Sequence, residues 1–158
     1  MKKVHILFVC LGNICRSPMA EAVMRQLVEH AGLTAQIEVD SAGTGDWHIG
    51  HRPHKGTLDK LAEHGISSEG IFARQVQAGD QAAFDYIIAM DESNVRNALE
   101  MFGMTEATNV HLLLDFVPEL AGQQVPDPYY DGNFTLTYEL VTKGCMALLA
   151  RIRADHQV

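Results

Sequence analysis

The sequence predicts a single α/β domain built on a parallel sheet with helices on both faces. Three observations carry that expectation. Apolar runs of strand length alternate with segments of helical periodicity, and Gly and Pro punctuate the junctions. The 158 residues, 47% of them hydrophobic, show no break in composition and are enough to bury one core, so residues 1–158 are expected to form one domain.

Val4 to Val9 reads as a buried strand that passes at once into Cys10-Leu11-Gly12-Asn13-Ile14-Cys15-Arg16-Ser17. A helix is expected from Pro18 to His30. Ser17 suits its N-cap, and Pro18 suits the first helical position, where a missing N–H deprives no carbonyl of a partner. Gly32 closes that helix, Ile37 to Asp40 is a second short strand, and residues 41–53 are rich enough in Gly and turn formers to predict a loop. His54 to His64 is amphipathic, with Leu58 and Leu61 on one face. Phe84 to Met90 is an apolar strand, and Asp91 to Phe102 is a helix with Asp91 or Ser93 near its cap. Val110 to Leu114 makes the fourth strand. Pro118, Pro126, Pro128 and Gly132 break the chain from Asp115 to Asn133, and Phe134 to about Arg153 reads as the closing helix.

Composition narrows the chemistry. The net charge is −8, with Lys and Arg scattered rather than gathered into a stripe, which argues against a nucleic-acid surface. No run approaches the ~20 apolar residues of a membrane span, and no signal peptide is expected at the N-terminus. Three cysteines, Cys10, Cys15 and Cys145, are too few for a secreted disulfide framework, so a reducing, cytoplasmic setting is expected. An acidic chain can still hold an anion where an Arg, backbone N–H groups and a helix N-terminus converge.

Cys10 and Arg16 satisfy that description. Five residues separate them, which lets one loop wrap a tetrahedral oxyanion with sulfur beneath and guanidinium beside it. Gly12 permits close backbone approach, successive N–H groups form a nest, and the following helix adds its dipole. Arg suits the role better than Lys because its planar fork bonds two oxygens at once. N–H donors, an Arg and a helix N-terminus around a cysteine favour its thiolate, the nucleophilic form, which makes Cys10 a candidate nucleophile. An isolated cysteine ending a strand would more commonly be a small core residue. The spacing between an apolar strand and a Ser-Pro-started helix is what shifts the balance.

The segment Val9-Cys10-Leu-Gly-Asn-Ile-Cys-Arg-Ser-Pro18 resembles the phosphate loop of low-molecular-weight protein tyrosine phosphatases. Asp46-Trp47, Ala73-Arg74-Gln75, Phe84-Asp85-Tyr86-Ile87, Met90 to Asn94 and Asp127-Pro-Tyr-Tyr130 resemble further segments of that family, in its order. The resemblance implies a four-stranded parallel sheet of flavodoxin-like arrangement, with the site at the carboxyl end of the first strand. It implies hydrolysis of phosphotyrosine and aryl phosphates through a phosphocysteine, without cofactor or metal. Cys10 is then the nucleophile, Arg16 the phosphate clamp and Asp127 the general acid and base, with Leu11, Gly12, Asn13, Ile14, Cys15 and Ser17 binding phosphate. It further implies that Asn13 holds the loop's shape, that the Ser17 hydroxyl bonds the Cys10 sulfur, and that Cys10 and Cys15 form a redox pair. The family often has a His two residues before the Ala-Arg pair; this sequence has Ile71 there.

Residues outside the loop carry competing readings. Asp127 alone would be an ordinary turn aspartate. Trp47 is either an anchor for its own Gly-rich loop or, with Tyr129, an aromatic wall for a phenol ring, and Tyr130 fits pocket wall and loop packing equally. His48, His51 and His54 recur every three residues but are expected to be exposed loop side chains rather than metal ligands, because Pro53 interrupts any shared helix face. Cys145 falls in an apolar helical pattern and is expected in the core. Candidate partners are phosphotyrosine proteins and a tyrosine kinase, and a monomer or weak dimer is the expected state. An arsenate reductase on this fold would need two further mid-chain cysteines, which are absent between Cys15 and Cys145. A phosphoarginine phosphatase would typically carry Thr where Ile14 stands, and a non-catalytic phosphate-binding module would have no need to keep Cys10, Arg16 and Asp127 together.

Overall fold

Alternation along the first strand decides the layering. The structure, a computed structural model, describes residues 2–158. In β1 (Val4–Cys10), Ile6, Phe8 and Cys10 point into one core, while Leu7 and Val9 point into a second, smaller one. A strand buried on both faces must lie inside a parallel sheet with helices above and below. The sheet has order β2-β1-β3-β4, all parallel, with β2 (Ile37–Gly43), β3 (Tyr86–Ala89) and β4 (Val110–Leu112). Helix α1 (Arg16–His30) and the closing helix α6 (Phe134–His156) pack together over the larger core, joined there by α2 (Lys55–Glu63). Ala98 of α4 (Glu92–Met101) covers the smaller core with Met101 beside it. Two single-turn helices, α3 (Asp80–Ala83) and α5 (Pro128–Asp131), complete the fold.

The expected strands and long helices are present, with differences at three boundaries. Strand β2 extends through Ser41, Ala42 and Gly43, where a loop was expected, because these residues pair with Phe8, Val9 and Cys10. Small residues are needed there: a side chain on Gly43 would meet the Leu11 carbonyl at 2.9 Å. Helix α1 starts at Arg16 with Cys15 in the N-cap position and no side-chain cap, so Ser17 lies inside its first turn, its hydroxyl turned back to the loop. Strand β4 ends at Leu112, where the chain tightens into a short 3₁₀ turn over Leu113–Phe116. At the C-terminus of α1, Gly32 has φ +72°, the left-handed turn that the helix end requires. No helix among the described residues is long and apolar enough to cross a membrane.

Candidate active site

Strands β1 and β3 are neighbours in space, yet the chain leaves β1 towards β2 before returning to β3, so a crevice opens at the carboxyl end of β1. The loop after β1 fills it, and its surroundings fix its direction. The Cys10 and Leu11 carbonyls accept from the N–H groups of Thr44 and Gly45, at 2.9 and 2.8 Å. The Ile14 carbonyl accepts from His54 N at 2.7 Å, and the Cys15 carbonyl from the Thr57 hydroxyl at 3.0 Å. In a trans peptide the N–H points opposite to the C=O. The N–H groups of Leu11, Gly12, Cys15 and Arg16 are therefore turned to the loop's other side, away from these donors.

A chain of side-chain hydrogen bonds runs under the loop. Asn13 Nδ2 donates to Ser17 Oγ at 2.7 Å and to Ser41 Oγ at 2.9 Å, and Ser41 Oγ donates to Glu21 Oε1 at 2.6 Å. Ser17 Oγ, already accepting from Asn13, has its own proton free for Cys10 Sγ, 2.9 Å away. Asn13 Oδ1 accepts from Arg74 N at 3.0 Å, and the Arg74 guanidinium is pinned by Asp40 and Asp80. These contacts hold Asn13 at φ 55°, a left-handed conformation that Asn tolerates better than most residues. Ile71, at the position where a His was the family expectation, is buried in the core, and Ser41 and Arg74 supply the bracing. Glu21 is itself buried, and desolvation raises its carboxyl pKa above the ordinary value.

Arg16 is held from behind. Its Nη1 donates to Asp91 Oδ2 at 2.7 Å and to the Val125 carbonyl at 2.9 Å, and its Nη2 reaches Asp127 Oδ2 at 3.4 Å. Nε, also buried, has no hydrogen-bond partner among the described residues. Burial works against the guanidinium charge, but Cys10, Asp91 and Asp127 more than offset it and the net shift of its pKa is upward. Both carboxylates have second duties. Asp91 Oδ1 caps α4 by accepting from Asn94 N at 2.8 Å, and Asp127 Oδ1 caps α5 by accepting from Tyr129 N at 3.1 Å. Of these roles for Asp91, the sequence indicated the cap; its pairing with Arg16 spans 75 positions and left no local signal.

Above the loop lies a cavity of about 350 Å³. Cys10, Leu11, Gly12, Ile14 and Cys15 form its floor, Trp47 and His48 one wall, and Asp127, Tyr129 and Tyr130 the other. The Trp47 ring lies on Gly45, where a Cβ would come within 1.9 Å of it. Tyr130 meets Tyr129 edge-on and is exposed at the mouth, so it is cavity wall rather than loop packing. The three histidines part company, and only His51 is fully exposed. His48 lines the cavity against Gly12, whereas His54 Nδ1 accepts from Gly56 N to cap α2 while its ring stacks on Phe134. Among the described residues no cluster of His, Cys, Asp and Glu is arranged to hold a metal ion. Burial, together with the neighbouring Cys10, pushes the Cys15 thiol up to about 12. Cys145 is deep in the core, and burial raises its pKa as well.

A cysteine and an arginine on one loop at the switch point of a parallel sheet define a class: α/β proteins that handle an oxyanion beside a thiol. The chain belongs to the low molecular weight phosphotyrosine protein phosphatase family, whose model matches residues 5–158. It is 49% identical over 155 residues to the low molecular weight protein-tyrosine-phosphatase YfkJ of Bacillus subtilis, covering 98% of this chain and 99% of that protein. The crystal structure of YfkJ superposes with a TM-score of 0.95, at 48% identity and 98% coverage of each chain. The fission yeast Schizosaccharomyces pombe has a low molecular weight phosphotyrosine protein phosphatase 47% identical over 133 residues, covering 84% of this chain and 85% of that protein. A drosophila arginine phosphatase has the same fold, with a TM-score of 0.85 at 33% identity, covering 97% of this chain and 98% of that one.

Proposed function

We propose that this protein hydrolyses phosphotyrosine in proteins through a phosphocysteine. The Cys10 thiolate attacks phosphorus, and the bond to the tyrosyl oxygen breaks as the Asp127 carboxylic acid protonates the departing phenolate. Asp127, now a carboxylate, takes a proton from water, whose oxygen displaces sulfur to give inorganic phosphate and free thiolate. The inward N–H groups and Arg16 carry the charge on the equatorial oxygens throughout. The observation that supports this reading most is Arg16: Nη1 is committed to Asp91 and Val125 and Nη2 spends one N–H on Asp127, while the second Nη2 N–H is left over and Nε is buried without a partner among the described residues. A phosphate oxygen above Cys10 would satisfy it.

Substrate class follows from the walls. Ile14 on the floor and Trp47, Tyr129 and Tyr130 above present an apolar slot that suits a flat phenol ring better than a short alkyl phosphate or a charged phosphoguanidine. Cys15, as the buried thiol beside the nucleophile, serves redox protection. Peroxide converts the Cys10 thiolate to sulfenic acid with release of hydroxide, and Cys15 then condenses with it to a disulfide with loss of water. Once Cys10 is a neutral sulfenic acid, the Cys10 charge that helps hold the Cys15 pKa high is gone, and the Cys15 thiolate becomes easier to form.

The test compares p-nitrophenyl phosphate, a phosphotyrosine peptide and its phosphoserine counterpart in the wild type and in Cys10→Ser. We expect turnover of the first two well ahead of the third, and loss of all turnover in Cys10→Ser with vanadate binding retained. Turnover by Cys10→Ser near the wild-type rate would remove the covalent route.

A further inference from the structure

One side of the cavity mouth continues into a surface that the chemistry does not use. Beyond His48, Ile49 is 57% exposed, and Phe72 is 55% exposed. The two segments are laced together: Gly50 N donates to the Ala73 carbonyl and Ala73 N to the His51 carbonyl, both at 2.8 Å. Ala73 in turn packs on Ile14 and Cys15, so this pairing is rooted in the cavity floor. Arg52 sits over the Phe72 ring, 5.6 Å from its centre. It is fixed there by donating to the Ser68 and Ile71 carbonyls and to the Ser68 hydroxyl, at 2.7, 2.9 and 2.9 Å.

Charge sets this side apart. The chain is acidic overall, yet residues 47–58 contain Arg52, Lys55 and three histidines with no Asp or Glu; Lys55 is neutralised by Asp59 just beyond, which leaves Arg52 as the unmatched cation of that stretch. Arg16, Arg25 and Arg74 each meet a carboxylate, whereas among the described residues none lies within ion-pair distance of Arg52. The opposite wall carries Asp127 and, one residue past Tyr130, Asp131.

We propose that Ile49, Phe72 and Arg52 form a ledge that receives the polypeptide flanking the phosphotyrosine, and that it favours an apolar side chain followed or preceded by a carboxylate. The proposal rests on the phosphotyrosine reading above. A phosphotyrosine seated on Cys10 must send its backbone across the mouth, and the ledge adjoins that mouth through His48 and Ala73, so it is open to the side chains that flank the phosphotyrosine. Two exposed apolar side chains give such a flank something to bury, and a cation already pinned by three hydrogen bonds loses little freedom on meeting a carboxylate. The acidic opposite wall disfavours the same flank, so an acidic flank is drawn to the ledge side of the mouth.

The experiment measures kcat/KM for phosphotyrosine peptides whose flanks are apolar-acidic, Gly-Ser or Lys-rich, with p-nitrophenyl phosphate as the flank-free control. The wild type should prefer the apolar-acidic flank over the Gly-Ser flank by about tenfold, the scale of burying one aliphatic side chain. The double variant Ile49→Ser, Phe72→Ser should erase most of that preference and leave p-nitrophenyl phosphate turnover unchanged, and Arg52→Gln should remove the part due to the carboxylate. Equal rates on all flanks, with the control substrate turned over normally, would overturn the ledge and leave the phosphatase reading standing. Absence of turnover on every substrate would overturn that reading, and peptide binding to Cys10→Ser would then judge the ledge by itself. A self-association removed by Phe72→Ser, with flank preference unaltered, would also overturn it, because the surface would belong to a second copy.

Discussion

Cys10, Asn13, Cys15, Arg16 and Ser17 are each no more than 3% exposed, whereas Trp47, Tyr129 and Tyr130, which wall the cavity above Cys10, are 65%, 55% and 75% exposed. The two regions are held by different forces. The loop is fixed by polar contacts on every side: four carbonyls taken by the turn after β2 and by α2 with its cap, and Asn13 locked by Ser17, Ser41 and Arg74. The rim is fixed by a few aromatic contacts, one ring on a glycine and two tyrosines edge to edge. Buried polar networks have little tolerance for a missing partner, whereas exposed contacts shift cheaply. On the proposed mechanism, bond-making falls in the half fixed by buried polar contacts, and the choice of substrate in the exposed half.

The sharpest test of that division is Arg16→Lys, which keeps a charge in the buried half but loses the fork. We expect kcat/KM to fall roughly a thousandfold, about 4 kcal/mol of transition-state stabilisation. A variant within tenfold of wild type on p-nitrophenyl phosphate would mean that charge alone suffices.

Asp127 stands on the border, partly exposed and touching both halves. Asp127→Asn keeps an oxygen to cap α5 and removes only the acid. Turnover should drop on the order of a hundredfold for phenyl phosphate and much less for p-nitrophenyl phosphate, whose phenolate leaves without help. Equal losses on the two substrates would reassign the acid.

Gly45→Ala keeps the N–H that holds the Leu11 carbonyl and perturbs the rim. The added methyl displaces the Trp47 ring, so the preference for phosphotyrosine over phosphoserine peptides should shrink several-fold while Tm changes by little. An unchanged preference would show that Trp47 is not part of the slot.

Cys15→Ser should have the smallest effect on turnover, because a thiol whose pKa is raised to about 12 is protonated at neutral pH and takes no part in phosphoryl transfer. Its effect should appear only after peroxide. Wild type should recover with dithiothreitol and show a Cys10–Cys15 link by mass spectrometry, whereas the variant should remain inactive. Equal recovery would rule the pair out.

Much of the buried half was legible because its signal is local. Cys10 and Arg16 lie in one short segment between a strand and a helix, and that spacing is visible without a fold. Its supports were not. Ser41-Ala42-Gly43 has no apolar alternation and reads as loop, yet it is strand: it pairs with Phe8 to Cys10, and Gly43 leaves room for the loop at Leu11 and Asn13. Ser17 has the right identity for a cap, but its hydroxyl serves Cys10 instead. Glu21 looks like an ordinary helix glutamate until the fold carries it under Ser41. At the rim the aromatic residues were evident and their geometry was not, since a tryptophan lying on Gly45 depends on a turn that composition does not specify.

The line of hydrogen bonds from Cys10 through Ser17, Asn13 and Ser41 to Glu21 bears on whether this loop can be moved. Residues 10–17 look like a self-contained module, and in a designed sheet they would be the obvious piece to transplant. Three of their restraints come from elsewhere: a serine hydroxyl inside the neighbouring strand, a carboxyl one turn into the helix, and the amide of Arg74. A graft without those three would present the right side chains on a backbone free to relax, with Asn13 no longer obliged to hold its left-handed turn. The smallest portable unit of this chemistry is the loop together with its scaffold.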